Sequence, residues 1–419
     1  MQQLIRNIPF LSILIPTRNR AQYLKFAIES ALNIKYTDVT DIEIIVSENH
    51  SQDNSLHICN SFTDPRLTIV RPPNPLTMHE NWEFLLNLSK GKWVTFIGDD
   101  DAVMPHCLEH LLWLETNYPK AEAIVSARNY YSWNGCQKEY GDIAVSINFC
   151  NEHFWLDSKK QLNSALRGKI NYVDLPQMYS GGFHRRSLIN RVLNSQCGVY
   201  FKSVTPDAYT AVMGCLHTYR YLQTKIPMTW VGSSPHKAIS TDKSIVKDRV
   251  DDFWGMHSTS SLAVHFALGD LREGTFLLYL YEAYISAFPL TNPEMLSLQR
   301  VKSVFCESVR QLRTRGREDI VLKLSQDLGF DIPVRDEEKA YWFIVQIFSK
   351  LIWITLRLKY RFLLLIDLLF RNKHLSKSSF SYSSNSHKKH PHILSCDKIL
   401  TENYYQCINN LSYGLIDEE

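Results

Sequence analysis

The sequence predicts an α/β fold: a mostly parallel sheet flanked by helices, followed by a C-terminal helical extension. Two observations predict it. Over residues 1–131, short β-branched and aromatic runs alternate with helical periodicities, the pattern of a parallel sheet covered on both faces. The 419 residues are 45% hydrophobic and 12% aromatic with 16 Gly and 16 Pro, which supplies a large core and excludes a disordered or fibrous chain.

The first strand is expected over Leu11-Ser12-Ile13-Leu14-Ile15. The apolar run from Ile8 contains Pro9, lacks a small-residue cleavage site and passes straight into Pro16-Thr17-Arg18-Asn19-Arg20, so it reads as a strand rather than a leader. Leu24, Ala27, Ile28, Ala31 and Leu32 then recur at helical spacing, with Asn19 and Gln22 placed to form a capping box. Further strands are expected over Ile42–Val46, Leu67–Val70, Trp93–Ile97 and Ala123–Val125. Trp82, Leu85 and Leu86 read as the core face of one helix, and Pro105 ahead of Leu108, Leu111 and Leu112 marks another.

Beyond this unit the chain changes character. Residues 132–251 are mixed and aromatic, with turn signals at Asn134-Gly135, Gly181-Gly182 and Ser234-Pro235. Residues 252–332 are helical in pattern, 333–374 are basic and apolar, and 375–419 form a Ser/Lys/His-rich connector and short tail. The net charge of +3 calls for no nucleic acid partner. Nine cysteines without a CxxC pair exclude a disulfide framework and a zinc ribbon, and fit a reducing cytoplasm.

In an open α/β sheet, ligands bind outside the carboxyl ends of the strands, so the residues there carry the chemistry. After the first strand stand Pro16, Thr17, Arg18 and Asn19; after the second, Glu48 to Asp53; after the fourth, Gly98-Asp99-Asp100-Asp101. Three adjacent carboxylates repel one another unless something neutralises them. A hard divalent cation does so, and Mg²⁺ favours one or two carboxylates plus phosphate oxygens. Acids ahead of a helix are also favourable by themselves, and the cluster alone leaves both readings open.

The three segments LSILIPTRN (residues 11–19), IIVSENHSQDN (44–54) and WVTFIGDDDAVMP (93–105) together resemble, in order and spacing, the signature segments of family 2 glycosyltransferases. The resemblance is close over roughly the first 130 residues and looser to about residue 240. It implies the GT-A fold, with residues 1–131 as the nucleotide-sugar-binding half and 132–251 as the region of acceptor and catalytic base. It further implies that Pro16, Thr17 and Asn19 lie at the nucleoside, that Glu48 stands where the family usually has Asp, and that Asp99 meets the donor ribose. Mg²⁺ or Mn²⁺ is then expected on Asp100, with Asp101 second. Inverting transfer needs a carboxylate to accept the proton of the acceptor hydroxyl. Asp207, in Thr205-Pro206-Asp207-Ala208-Tyr209, resembles a PD-x-Y element of bacterial members and is the expected base, with Asp174 as a weaker competitor and helix capping as the plain alternative.

Arg185, beside Arg186 after Gly181-Gly182, could meet a departing diphosphate, although a solvated basic turn is the commoner use of such residues. His236 could join the metal site or be an ordinary surface histidine. Processive family members carry a QxxRW segment and membrane spans; neither occurs here, which implies addition of one or a few sugars. Between Lys339 and Lys373 there are seven Lys/Arg against one acid, Asp367, and the longest uncharged run, Ala340 to Ser349, is too short to span a bilayer. Such a segment fits an anionic membrane surface, or a helix pair buried against protein. The expected partners are thus a nucleotide-diphospho-sugar and a glycan or lipid-linked acceptor in surface polysaccharide assembly, at the cytoplasmic face of a membrane. A nucleotidyltransferase is the first alternative, disfavoured because Pro16 to Tyr23 contains no Gly for a triphosphate loop. A non-catalytic glycan-binding scaffold is the second.

Overall fold

The structure, a computed structural model, describes residues 8–35, 41–133, 145–146, 150–234 and 276–287. The basic apolar segment 333–374, the connector 375–419 and His236 lie outside these residues, as does the 252–332 extension apart from one helix. No helix among the described residues is long and apolar enough to cross a membrane.

Four parallel strands form the first half of the sheet, in the order β3-β2-β1-β4: β1 (Leu11–Thr17), β2 (Ile42–Glu48), β3 (Leu67–Val70) and β4 (Trp93–Phe96). Leu11, Ile13, Leu14 and Ile15 are all fully buried, which is why β1 reads as a continuous apolar run and not as an alternation: helices cover both its faces. The covering helices are α1 (Ala21–Leu32), α2 (Ser55–Asn60), α3 (Met78–Leu88) and α4 (Cys107–Asn117). Trp82, Leu85 and Leu86 are buried on α3, as their spacing requires, and Trp82 stacks on Phe96 with ring centroids 4.2 Å apart. The capping box belongs to α3, where Thr77 and Glu80 exchange hydrogen bonds, and not to Asn19 and Gln22. Arg20 is the N-cap of α1 with no side-chain cap, and the Ala21 amide is instead satisfied by Asp53 Oδ2 of the next loop at 2.9 Å.

The second half of the sheet is mixed. β9 (Gly182–Arg185) runs antiparallel between β4 and β6 (Ala123–Ser132), which restores β6 to the direction of β4. The long β10 (Arg220–Ser233) pairs parallel with β6, with register shifts on either side of Pro227, which has no amide to give the ladder. β5 (Ala102–Val103) and β8 (His153–Asp157) line the other edge of β10, and β7 (Val145–Ser146) pairs with β6. Four more helices follow in this half: α5 (Ser158–Leu166), α6 (Arg186–Ser195), α7 (Pro206–His217) and α8 (Phe276–Ser286). The described fold is therefore the expected α/β sheet flanked by helices.

Candidate functional site

Strand order reverses between β1 and β4, and the carboxyl ends of these two strands frame the crevice where open α/β sheets place ligands. Register then brings the sequence segments together. Leu14 pairs with Phe96, so three residues further on each strand Thr17 and Asp99 stand level, and Thr17 Oγ1 donates to Asp99 Oδ2 at 2.9 Å. Thr17 is also level with Glu48 on its other side. Asn19 adopts a left-handed φ of 55°, from which its amide donates to Ser51 Oγ at 2.9 Å and its Oδ1 accepts from the Gln52 amide at 2.7 Å. The loops after β1 and β2 are thereby tied into one rim, with Pro16 at its foot opposite Ser47.

Glu48 is fully buried and braces that rim from below. Its Oε1 accepts from the Ser51 amide at 2.5 Å and its Oε2 lies 3.1 Å from Arg71 Nε. The carboxylate is thus engaged with its own loop and with Arg71.

The three acids separate into two environments. Asp99 and Asp100 share one guanidinium: Arg20 Nε donates to Asp99 Oδ1 at 2.8 Å, and its Nη2 to Asp100 Oδ2 at 2.7 Å. Asp100 Oδ2 also accepts from Ser234 Oγ at 2.5 Å, at the end of β10. Burial raises the Asp99 carboxyl above its ordinary value while Arg20 opposes the rise. Burial also disfavours the charge on Arg20, but the two aspartates beside it outweigh this and hold it protonated.

Asp101 turns away from this pair and is 1% exposed. Its Oδ2 accepts from the Gly98 amide at 2.8 Å and from Ser180 Oγ, and its Oδ1 from the Gly232 amide at 2.7 Å. Burial, with Asp100 adding to it, pushes its carboxyl up to about 6 against these donors. Both oxygens are engaged in holding the turn. At Gly232 a Cβ would come within 1.7 Å of the Asp100 carbonyl oxygen, so a glycine is needed for β10 to pass this close.

The helix α7 begins at Pro206, and Asp207 occupies its first turn. Tyr172 Oη donates to Asp207 Oδ2 at 2.5 Å. Burial raises the Asp207 carboxyl above its ordinary value, and the Tyr172 hydroxyl and the backbone amides of Asp207 and Ala208 hold the rise in check. The groups between this turn and the acid loop are residues that sequence reasoning missed. Residues 178–180 run beside the end of β4, with the Phe96 amide donating to the Met178 carbonyl and the Ser180 amide to the Phe96 carbonyl. Tyr179 stands on this segment within electrostatic reach of Asp101, Asp100 and Asp207 together; burial first and these carboxylates second raise its hydroxyl well above the ordinary value. Arg128 is buried beneath and donates from Nε to the Ser180 carbonyl at 2.8 Å. Asp174, the competitor for base, is half-exposed and 3.9 Å from Arg128 Nη1, on the short helical turn Tyr172–Asp174 that carries the Tyr172 partner of Asp207.

Arg185 is not in the crevice. It pairs with Trp93, at the amino end of β4, lies over the Trp93 ring at 5.1 Å and is 2.6 Å from Glu115. Arg186 is at the same end, donating to the Gly91 carbonyl and Ser89 Oγ. The expectation of a diphosphate contact at Arg185 fails on topology: β9 runs antiparallel to β4, so residues at its end return to the opposite edge from the acids.

Asp99 and Asp100 are the residues here that could hold a divalent cation, and Arg20 already pairs with both. Asp99 and Asp100 offer only carboxylate oxygens, and the described residues contain no group of three or more His, Cys, Asp or Glu that would enclose a metal unaided.

Residues 12–173 match the family model described as Glycosyl transferase family 2. Glycosyltransferase GlyG of Streptococcus pneumoniae serotype 4 is 26% identical over 144 residues, 34% of this chain and 46% of GlyG. The GalNAc(5)-diNAcBac-PP-undecaprenol beta-1,3-glucosyltransferase of Campylobacter jejuni is 32% identical over 108 residues, 25% of this chain and 34% of that protein. The match therefore spans less than half the length of these relatives. Among solved structures, S. aureus TarS 1-349 in complex with UDP-GlcNAc is similar with a TM-score of 0.44 at 15% identity, covering 78% of this chain and 94% of that one.

Proposed function

Because residues 12–173 are a family 2 glycosyl transferase domain, we propose that the chain transfers one sugar from a nucleotide-diphospho-sugar to an acceptor hydroxyl with inversion at the anomeric carbon. The observation that carries this reading is one segment, residues 178–180, bonded at Ser180 to the acid loop and at Met178, through Thr210, to the turn of Asp207. Asp99 and Asp100 lie at the β1/β4 switch point, and Asp207, with its raised carboxyl, lies at the start of α7.

Pro16, Thr17, Asn19 and the loop braced by Glu48 form the nucleoside side. Asp99 and Asp100 would hold Mg²⁺ or Mn²⁺, which when bound neutralises the charge of a leaving diphosphate. Asp207 accepts the proton of the acceptor hydroxyl as its oxygen forms the new bond to the anomeric carbon. The bond from that carbon to the diphosphate oxygen breaks with its electron pair leaving on the nucleoside diphosphate. A raised carboxyl is a better base than an ordinary one, because its proton affinity is closer to that of the group it must relieve. Attack opposite the leaving group, with Asp207 relieving the attacking hydroxyl of its proton, gives inversion. Tyr172 fixes which Asp207 oxygen remains for the acceptor, since Oδ2 is already engaged.

The acceptor we propose is a lipid-linked glycan of surface polysaccharide assembly, met at the cytoplasmic face of a membrane by the basic apolar residues 333–374. Two points support it: the cationic, aromatic chemistry of that segment, and the undecaprenol-linked acceptor in the name of the similar Campylobacter jejuni enzyme. Flotation on anionic vesicles tests the membrane contact, which is refuted if deleting residues 338–374 leaves flotation unchanged. Binding of nucleoside diphosphates with and without Mn²⁺ tests the donor site. Wild type should bind more tightly with metal, and Asp100→Ala should lose that dependence; equal affinity with and without metal in wild type would exclude the metal role.

A further inference from the structure

The chain that leads into α7 is held at both ends by carboxylates from distant helices. Residues 200–205 belong to no helix or strand. At one end Glu83 of α3 accepts from the Tyr200 and Phe201 amides, each at 2.9 Å. At the other, Glu282 of α8 accepts from Ser203 Oγ with one oxygen and from Ser286 Oγ, at 2.8 Å, with its second. Glu282, Ser203 and Thr205 are all buried, and α8 packs against α7 and the Tyr172–Asp174 turn.

Ser203 passes this hold to the start of α7. A hydroxyl has one proton, and with that proton given to Glu282 the Ser203 oxygen is left as an acceptor. The Thr205 amide donates to it at 3.1 Å, and Thr205 Oγ1 lies 3.1 Å from it as well. Thr205 is the N-cap residue of α7, a place where threonine ordinarily accepts from an amide of the first turn. Its side chain makes no such bond, and its ψ is 84°, against 167° at Thr77, which does cap α3. The amides of Asp207 and Ala208 bond instead to the Asp207 carboxylate. Thr205 and Asp207 are thus alternative acceptors for the orphan donors of one helix end, and the structure has chosen Asp207.

We propose that Glu282 is a positioning residue for Asp207, an inference that rests on Asp207 being the base. By taking the Ser203 proton, Glu282 turns Ser203 into the partner of Thr205 and keeps the Thr205 hydroxyl from the end of α7. The amides there then fix the Asp207 carboxylate, and Tyr172 engages its Oδ2. Without the carboxyl at position 282, Ser203 is free to donate to Thr205 Oγ1, and Thr205 is free to compete for the amides that orient the base. A helix beyond residue 252 therefore takes part in setting the geometry of transfer.

The experiment uses the full chain as wild type, Glu282→Ala, Glu282→Gln, Ser203→Ala, the Glu282→Ala/Ser203→Ala double variant and Asp207→Asn. Release of nucleoside diphosphate from UDP-, GDP- and dTDP-sugars gives kcat, and calorimetry with the same sugars gives donor affinity. Glu282→Ala and Ser203→Ala should each lower kcat about tenfold at unchanged donor affinity, since small misplacements of a reacting group cost up to about 10²-fold. The double variant should fall no further than either single one, because both remove the same link. Glu282→Gln should recover most of the loss: its amide oxygen accepts from Ser203, and the Ser286 hydroxyl can turn to accept from its amide nitrogen. Circular dichroism checks folding, and Ser203→Ala with Glu282→Gln carries the test if Glu282→Ala does not fold. Wild-type kcat in Ser203→Ala would overturn the inference, as would losses that multiply in the double variant. Donor affinity falling in step with kcat would also overturn it, as the mark of a general structural fault. Loss of turnover in Asp207→Asn alone would leave the base in place and refute only the role of Glu282. Wild-type turnover in Asp207→Asn, or release by none of the proteins, would overturn the reading of the base and this inference with it.

Discussion

The hydroxyl of Tyr172 lies 2.5 Å from Asp207 Oδ2 and donates to it. The bond favours the charged carboxylate, while burial favours the neutral acid more strongly, and the net result is a carboxyl above its ordinary value. Removing the donor should therefore raise it further. Tyr172→Phe is expected to move the acidic limb of the kcat/KM profile to higher pH by about one unit, the size of one hydrogen bond to a charged group. An unmoved limb in the Phe variant would separate Tyr172 from the base.

Asp100 and Asp101 are neighbours in sequence with opposite expected phenotypes. Asp101 accepts from two amides and Ser180, so Asp101→Asn replaces one acceptor oxygen by a donor and leaves a buried amide facing another N–H. The cost should be about 1–3 kcal/mol, seen as a lower Tm, with metal-dependent nucleotide binding kept in the folded protein. Asp100→Ala should lose the binding with less effect on Tm. Reversed phenotypes would return the metal role to Asp101.

Glu282 on α8 is 2% exposed and accepts from Ser203 and Ser286. Burial lifts its carboxyl from 4.5 to about 7, against these hydroxyl donors. The folded protein thus keeps a proton that the unfolded chain gives up near its ordinary value, so stability is fully present below about pH 4.5 and is lost as pH rises through 7. The loss has an upper bound of about 3.5 kcal/mol at about 1.4 kcal/mol per unit. Glu282→Gln should flatten the fall of Tm between pH 5 and 8; curves that stay parallel to wild type would contradict the assignment.

Arg185 offers a test of topology against motif. At the amino end of β4 it contacts Glu115 and the Trp93 ring, well away from the acid pair in the direction of the strands. Arg185→Ala should cost about 1 kcal/mol of stability and leave KM for the donor unchanged. A KM raised tenfold or more would place the side chain back at the diphosphate.

The parts of the site legible in the sequence are those that follow directly from a strand. Thr17, Asp99 and Asp100 stand just past apolar runs, and parallel register alone brings them level. The place of Asp207 in the first turn of a helix was legible from Pro206. The rest is set by contacts between distant segments. Arg20 occupies a helix N-cap, a place that says nothing of two carboxylates some 80 residues on. Tyr179 and Ser180 reach the acid loop through a left-handed turn with φ of 36° at Ser180 and 95° at Gly181, and the same turn opens the antiparallel β9 that carries Arg185 away. β10 was hidden as well, because Arg220, Gln223, Lys225 and Pro227 break its apolar pattern while its end supplies Gly232 and Ser234 to the acids.

The central claim divides the reaction between a donor site at Asp99 and Asp100 and a base at Asp207. It is tested most directly by following release of nucleoside diphosphate from a panel of nucleotide sugars by wild type and Asp207→Asn, with donor binding measured on both. The account predicts that wild type releases product from at least one donor, and that Asp207→Asn binds that donor with wild-type affinity while its release rate falls by about 10²–10⁴-fold. Release by Asp207→Asn at the wild-type rate would contradict it.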